Sequence, residues 1–119
     1  MVREDDGSAL PHFDAAYAAA RATDNRLLAS YAVRHLAFAW SNAGRHDEAW
    51  NGFEESVELR RREGFWPGVA AGLLTLAEIA HERGRHADAR RYLRRSIATA
   101  KRCGATAFLA RAEALEREL

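Results

Sequence analysis

Histidine recurs in a short Gly-Arg-His sequence, at His46 and again at His86, and His81 stands five residues before the second copy. Imidazole is both a general base and a frequent metal ligand. A helical metal pair needs ligands three or four residues apart on one face. His81 and His86 have Gly84 between them, so no metal site is expected. Cys103 is the single cysteine, which excludes an intrachain disulfide framework and a multi-cysteine zinc site. It precedes Gly104 at the end of an apolar-periodic stretch, where a helix does not activate a thiolate. Ser56 and Ser96 take small-residue positions and are expected to be buried and bonded to helix carbonyls. The glycines that punctuate the chain from Gly44 to Gly104 stand singly, so they form no phosphate-cradling loop, and no Ser-His-Asp or paired-carboxylate set can be assembled from spacing. Neither catalytic residues nor a cofactor is expected.

Charge is the next source of chemistry. Asp47, Glu48, Glu54, Glu55, Glu58 and Glu63 make one stretch acidic, and Arg90, Arg91, Arg94, Arg95, Lys101 and Arg102 make another basic. A basic stripe can meet a phosphate backbone. The formal net charge is only +1, so bulk charge does not point to nucleic acid. The two stretches are forty residues apart, with Glu54 and Glu55 in register with Arg94 and Arg95. Pairing between successive repeats is therefore the favoured reading, and nucleic acid is an unlikely partner. The run Arg60, Arg61 and Arg62 lies near a helix end, where cations favour the helix dipole.

The elements that must position these groups are helical. The chain has 119 residues, 26 alanines and two prolines, a balance that favours helix. Val33, Leu36, Ala37 and Trp40 follow helical spacing, as do Leu73, Leu76, Ala77 and Ala80. Gly44, Gly64, Gly84 and Gly104 each stand where an apolar stripe stops, as a helix C-terminal glycine does. The spacing predicts helices near 8–23, 25–43, 46–63, 67–83, 86–103 and 105–118, with Asp24 capping the second and Pro67 in the first turn of the fourth. No uninterrupted apolar run approaches the roughly 20 residues of a membrane helix. With one cysteine and no evident secretory signal, the expected location is cytoplasmic.

The pattern recurs every forty residues. Leu36, Ala37, Gly44, Arg45, His46, Ala49, Ser56, Arg62 and Gly64 return identically forty positions later, and Phe53 and Val57 return as Leu93 and Ile97. The register also runs backwards onto Ala9, Phe13 and Ala16. A period of this size means stacked helical pairs.

These residues resemble the tetratricopeptide repeat family. The first helix offers Val33, Leu36, Ala37 and Trp40, the turn Gly44, and the second helix Ala49, Phe53 and Ser56. The next repeat offers Leu73, Leu76, Ala77, Ala80, Gly84, Ala89, Leu93 and Ser96. The period is 40 rather than the usual 34, which places it with a longer-helix subtype, and the usual proline at the repeat end is absent. The resemblance implies an all-α fold, a short right-handed α-solenoid of antiparallel helix pairs with about six helices. Residues 1–7 are expected to be disordered and 8–119 to form one domain. That domain comprises a half repeat at 8–23, repeats at about 25–64 and 65–104, and a capping helix at 105–118.

The resemblance also implies that His46 and His86, where the family usually has a tyrosine, pack beneath their turns rather than act in catalysis, and it implies function. First helices of such repeats line a concave groove, which here offers Tyr31, Arg34, Phe38 and Asn42, then Leu74, Glu78 and His81, with Arg111 from the cap. The implied role is a scaffold-type module binding a protein or peptide segment, with Arg34 and Arg111 suited to an acidic one. A small-molecule sensor or small enzyme using the same groove is the alternative, and a self-assembling homodimer the second. Phe65 and Trp66, two aromatics in a connection, are a further candidate interface.

Overall fold

The structure is a computed structural model that describes residues 2–119, and the side chains of residues 11, 12 and 14–119. The register positions Ala9 and Phe13 fall on side chains outside the described residues. Six α-helices follow one another: α1 (Val2–Ala22), α2 (Arg26–Asn42), α3 (His46–Arg62), α4 (Trp66–Glu82), α5 (His86–Cys103) and α6 (Leu109–Glu118), with a 3-10 turn at Thr106–Phe108 before the last. No strand occurs among the described residues. The fold is all-α. Helix α1 begins at Val2, earlier than the expected start at residue 8.

The turns explain the twenty-residue rhythm. Gly44, Gly64, Gly84 and Gly104 have φ of 82°, 69°, 75° and 74°, the left-handed region where a Cβ is penalised. At the end of α2, Gly44 N donates to Ser41 O at 3.1 Å and Arg45 N to Trp40 O at 2.8 Å. Gly84 and Arg85 repeat this on His81 O and Ala80 O at 3.0 and 2.8 Å. These paired bonds satisfy carbonyls that a helix end otherwise leaves open. Asp24 holds the same place after α1, with φ of 60°, and so closes α1 rather than capping α2. The cap is Asn25, whose side-chain oxygen accepts from Leu28 N at 3.0 Å.

The chain divides into two compact units, Met1–Glu63 and Gly64–Leu119. In the first, α2 packs on α1 and on α3. Phe53 is buried beside Val33, Leu36 and Ala37, with Ala49 and Val57 also inside. In the second, α4 packs on α5, and α6 packs on α5. Leu73, Leu76, Ala77, Ala89 and Leu93 are buried there, joined by Ala112 and Leu115 of α6. Glu113, Glu116 and Arg117 of α6 are exposed. Small residues let each helix pair approach closely, and large ones fill the space between. Ser56 donates to Ser30 O at 2.9 Å, and Ser96 to Ala70 O at 2.8 Å. Both bonds run between the helices of a pair rather than within one helix.

His46 and His86 do not pack beneath their turns. Each is the first residue of its helix and is exposed, because a first-turn side chain at that position points away from the hairpin interior. The His81 and His86 rings lie 5.7 Å apart, and among the described residues no group of His, Cys, Asp and Glu side chains forms a metal-binding set. No helix of the described residues is long and apolar enough to cross a membrane.

Candidate functional site

Helix α2 has two unlike faces. Ala29, Ser30, Ala32, Val33, Leu36, Ala37 and Ala39 are buried. On the other side Leu27, Leu28, Tyr31 and Phe38 are 37%, 52%, 43% and 42% exposed. Leu27, Tyr31, Arg34 and Phe38 fall at steps of four, three and four, so they form one stripe along the helix. Soluble proteins scatter exposed apolar residues singly. Four of the five large apolar side chains exposed among the described residues stand on this one helix, and the fifth is Trp66.

The stripe is anchored from below. Phe38 meets the buried Phe53 edge to face, with ring centroids 4.8 Å apart and planes at 78°. The half-buried Arg34 lies over both rings, its guanidinium carbon 5.1 Å from the Phe38 centroid and 5.9 Å from that of Phe53. A guanidinium held against aromatic faces is weakly hydrated.

Tyr31 has a second arginine beneath it. Arg60 is only 3% exposed, with its guanidinium carbon 4.8 Å from the Tyr31 centroid and Nε donating to Ser30 Oγ at 3.3 Å. Burial holds its pKa below the ordinary arginine value. Sequence position alone places Arg60 with Arg61 and Arg62 at the helix end. Arg61 and Arg62 do behave as exposed end charges, both reaching Glu58, at 2.7 and 2.9 Å. Arg60 instead continues the inward row of Phe53, Ser56 and Val57. That spacing was the missed signal. In the other repeat Ser30, Tyr31 and Arg60 correspond to Ala70, Ala71 and Ala100, so this polar cluster belongs to one repeat alone.

The remaining groove candidates divide. Asn42 is exposed at the last position of α2. Leu74 is wholly buried and is a core residue rather than an exposed contact. It stands beside Leu73 on a helix whose apolar residues extend nearly all round, so the helix has no apolar outer face to spare. Within the second unit, Arg111 Nη2 donates to both carboxylate oxygens of Glu78, at 2.9 and 3.0 Å. His81 Nε2 lies 2.9 Å from Glu118 Oε1. These four and Glu82 line an open cleft of about 770 Å³. The polar groups expected to meet a ligand there are paired with one another. Trp66 is 43% exposed at the start of α4, and Phe65 is half-buried just before it.

Residues 28–102 match the sequence profile of a family described as Tetratricopeptide repeat. No curated protein matches the chain.

Proposed function

The chain belongs to the tetratricopeptide repeat family, whose members generally mediate protein–protein interaction and are typically not enzymes, and on that footing we propose that it takes a peptide or protein segment on the outward face of α2. One observation carries this reading, the gathering of Leu27, Leu28, Tyr31 and Phe38 on one exposed helix face. Aromatic side chains with an adjacent arginine are the residues that dominate binding energy at protein interfaces. Tyr31 and Phe38 are the anchors, Tyr31 held from below by Arg60 and Phe38 by Phe53. Arg34 gives the surface its preference for an acidic segment through a charge-assisted hydrogen bond, and Asn42 extends the surface by one more turn. Glu78, His81 and Arg111 stay outside it, because Arg111 holds Glu78 and Glu118 holds His81. The same pairings take support from a small-molecule or enzymatic use of that cleft. A cytoplasmic setting suits a chain whose single cysteine, Cys103, is exposed as a free thiol.

The test is selection of ligands from a random peptide display library, followed by calorimetric titration of the selected peptides. Phe38→Ala and Tyr31→Ala are each expected to weaken binding tenfold or more, and Arg34→Ala to weaken acidic peptides most, with helicity retained. Trp66→Ala is expected to leave affinity unchanged. Selected peptides that bind all three α2 variants as tightly as the wild type would refute the reading.

A further inference from the structure

Helix α5 carries the strongest charge asymmetry among the described helices. Its buried face is Ala89, Tyr92, Leu93, Ser96 and Ala100. Directly opposite, at steps of three and four, stand Arg91, Arg94, Arg95, Ala98, Lys101 and Arg102, all exposed. Five cations therefore lie in one row of about 16 Å. Arg91 pairs with Asp88 at 3.0 Å. Within this unit no carboxylate forms an ion pair with Arg94, Arg95, Lys101 or Arg102. Tyr92, 6% exposed, lies under the row with the Arg91 and Arg95 guanidinium carbons 4.7 and 5.6 Å from its centroid. It steadies those two side chains without offering its own ring. Residues 64–119 hold ten Lys and Arg against six Asp and Glu, whereas residues 1–63 hold eight against eleven. The near-neutral total conceals a positive half.

The sequence alone assigned this row to pairing with the acidic face of α3. On that face Glu55 is engaged by Tyr17 and Arg21 of α1. We infer that the outward face of α5 is an electrostatic docking surface for the phosphodiester backbone of double-helical nucleic acid. The row contains no exposed aromatic or aliphatic residue larger than Ala98. That separates the possible polyanions. A protein interface needs buried apolar anchors at its centre. An amphipathic helix on an anionic membrane needs apolar residues to insert. Single-stranded nucleic acid is held by bases stacked on exposed aromatics. A duplex presents a stiff, dense array of phosphates that guanidinium groups engage without reading bases. A straight cationic row on a rigid helix fits that description best.

The measurement is fluorescence anisotropy of a labelled 20-base-pair DNA duplex, titrated with the full chain at 50 and 200 mM salt. Neutralising about four phosphates predicts roughly a hundredfold loss of affinity between the two salts. Arg94→Ala/Arg95→Ala/Lys101→Ala/Arg102→Ala is expected to remove that binding and most of the salt dependence. Arg61→Ala/Arg62→Ala, at a different basic site, should leave both unchanged. If the quadruple variant loses helicity, Lys101→Ala/Arg102→Ala in the last turn serves in its place, with a loss of about tenfold. Absence of binding at 50 mM salt overturns the inference, as does full affinity in a folded α5 variant. Equal affinity for poly-glutamate or for phosphatidylserine vesicles also overturns it, because the surface would then not select phosphodiester duplexes.

Discussion

Ser56 of α3 donates its hydroxyl to the carbonyl of Ser30 on α2 at 2.9 Å, and forty residues later Ser96 makes the same bond to Ala70 at 2.8 Å. The bond fixes the relative height of the two helices of a pair, and both serines are buried. Ser56→Ala and Ser96→Ala are each expected to lower stability by about 0.5–1.5 kcal/mol, the net contribution of one buried hydrogen bond. Urea unfolding of each variant measures it. Equal effects in the two repeats would show that the bond is a repeat property.

The turn glycines give a different prediction. A Cβ on Gly84 would meet nothing within 4 Å, yet its φ is 75°. Space is available and the backbone conformation is costly. Gly84→Val should therefore lower stability by about 1–2 kcal/mol, and Gly84→Asn by less, since Asn tolerates the left-handed region. Thermal unfolding of the pair separates conformational strain from crowding, which would penalise both.

Gly52 is the opposite case. A Cβ there would lie 3.0 Å from Ala37 Cβ and 3.2 Å from Trp40 Cζ3. The matching positions in the other repeat are Tyr92, Ala77 and Ala80. One hole is filled from α2 by Trp40 in the first repeat and from α5 by Tyr92 in the second. Gly52→Ala should cost about 1–3 kcal/mol through overpacking, despite the better helix propensity of alanine. Adding Trp40→Ala should recover stability in Gly52→Tyr, because the pair then copies the second repeat. A double-mutant cycle by denaturant unfolding reads that coupling.

Repeat arithmetic made much of the fold legible. The forty-residue identities carry the hairpins, the buried alanines and the turn glycines, because each is dictated by local backbone geometry or close helix approach. What escaped were the places where the repeats differ. Arg60 was read with its charged neighbours, although its spacing from Phe53 and Val57 points inward. Asp24 was read as a cap, although it stands twenty residues before Gly44. Leu74 was read as a surface contact from the family pattern, although its helix is apolar nearly all round. Tyr31 and Phe38 were legible as surface residues from the groove positions of the family pattern. The contacts of Arg34 with Phe38 and of Arg60 with Tyr31 depend on side-chain conformation, which spacing does not specify.

Acid titration tests the exposed charge network on α3. Arg61 and Arg62 donate to the same carboxylate and hold the Glu58 pKa at about 2, against an ordinary 4.5. The folded pKa is the lower one, so the contribution to stability is complete above about pH 4.5 and is lost as pH falls toward 2. Solvent screening keeps that contribution small. Carboxyl carbon shifts followed by NMR should place the Glu58 midpoint near 2. In Arg61→Ala/Arg62→Ala the midpoint should return toward 4.5.

The most direct test of the functional reading is backbone amide shift mapping of the isotopically labelled chain with a display-selected peptide. A segment bound on the outward face of α2 should shift the amides from Leu27 to Asn42 most strongly, with Tyr31, Arg34 and Phe38 at the centre. It should leave those of α6 and of the Phe65–Trp66 connection in place. Shifts concentrated at Phe65 and Trp66, or around Glu78, His81 and Arg111, with α2 unchanged, would contradict the account.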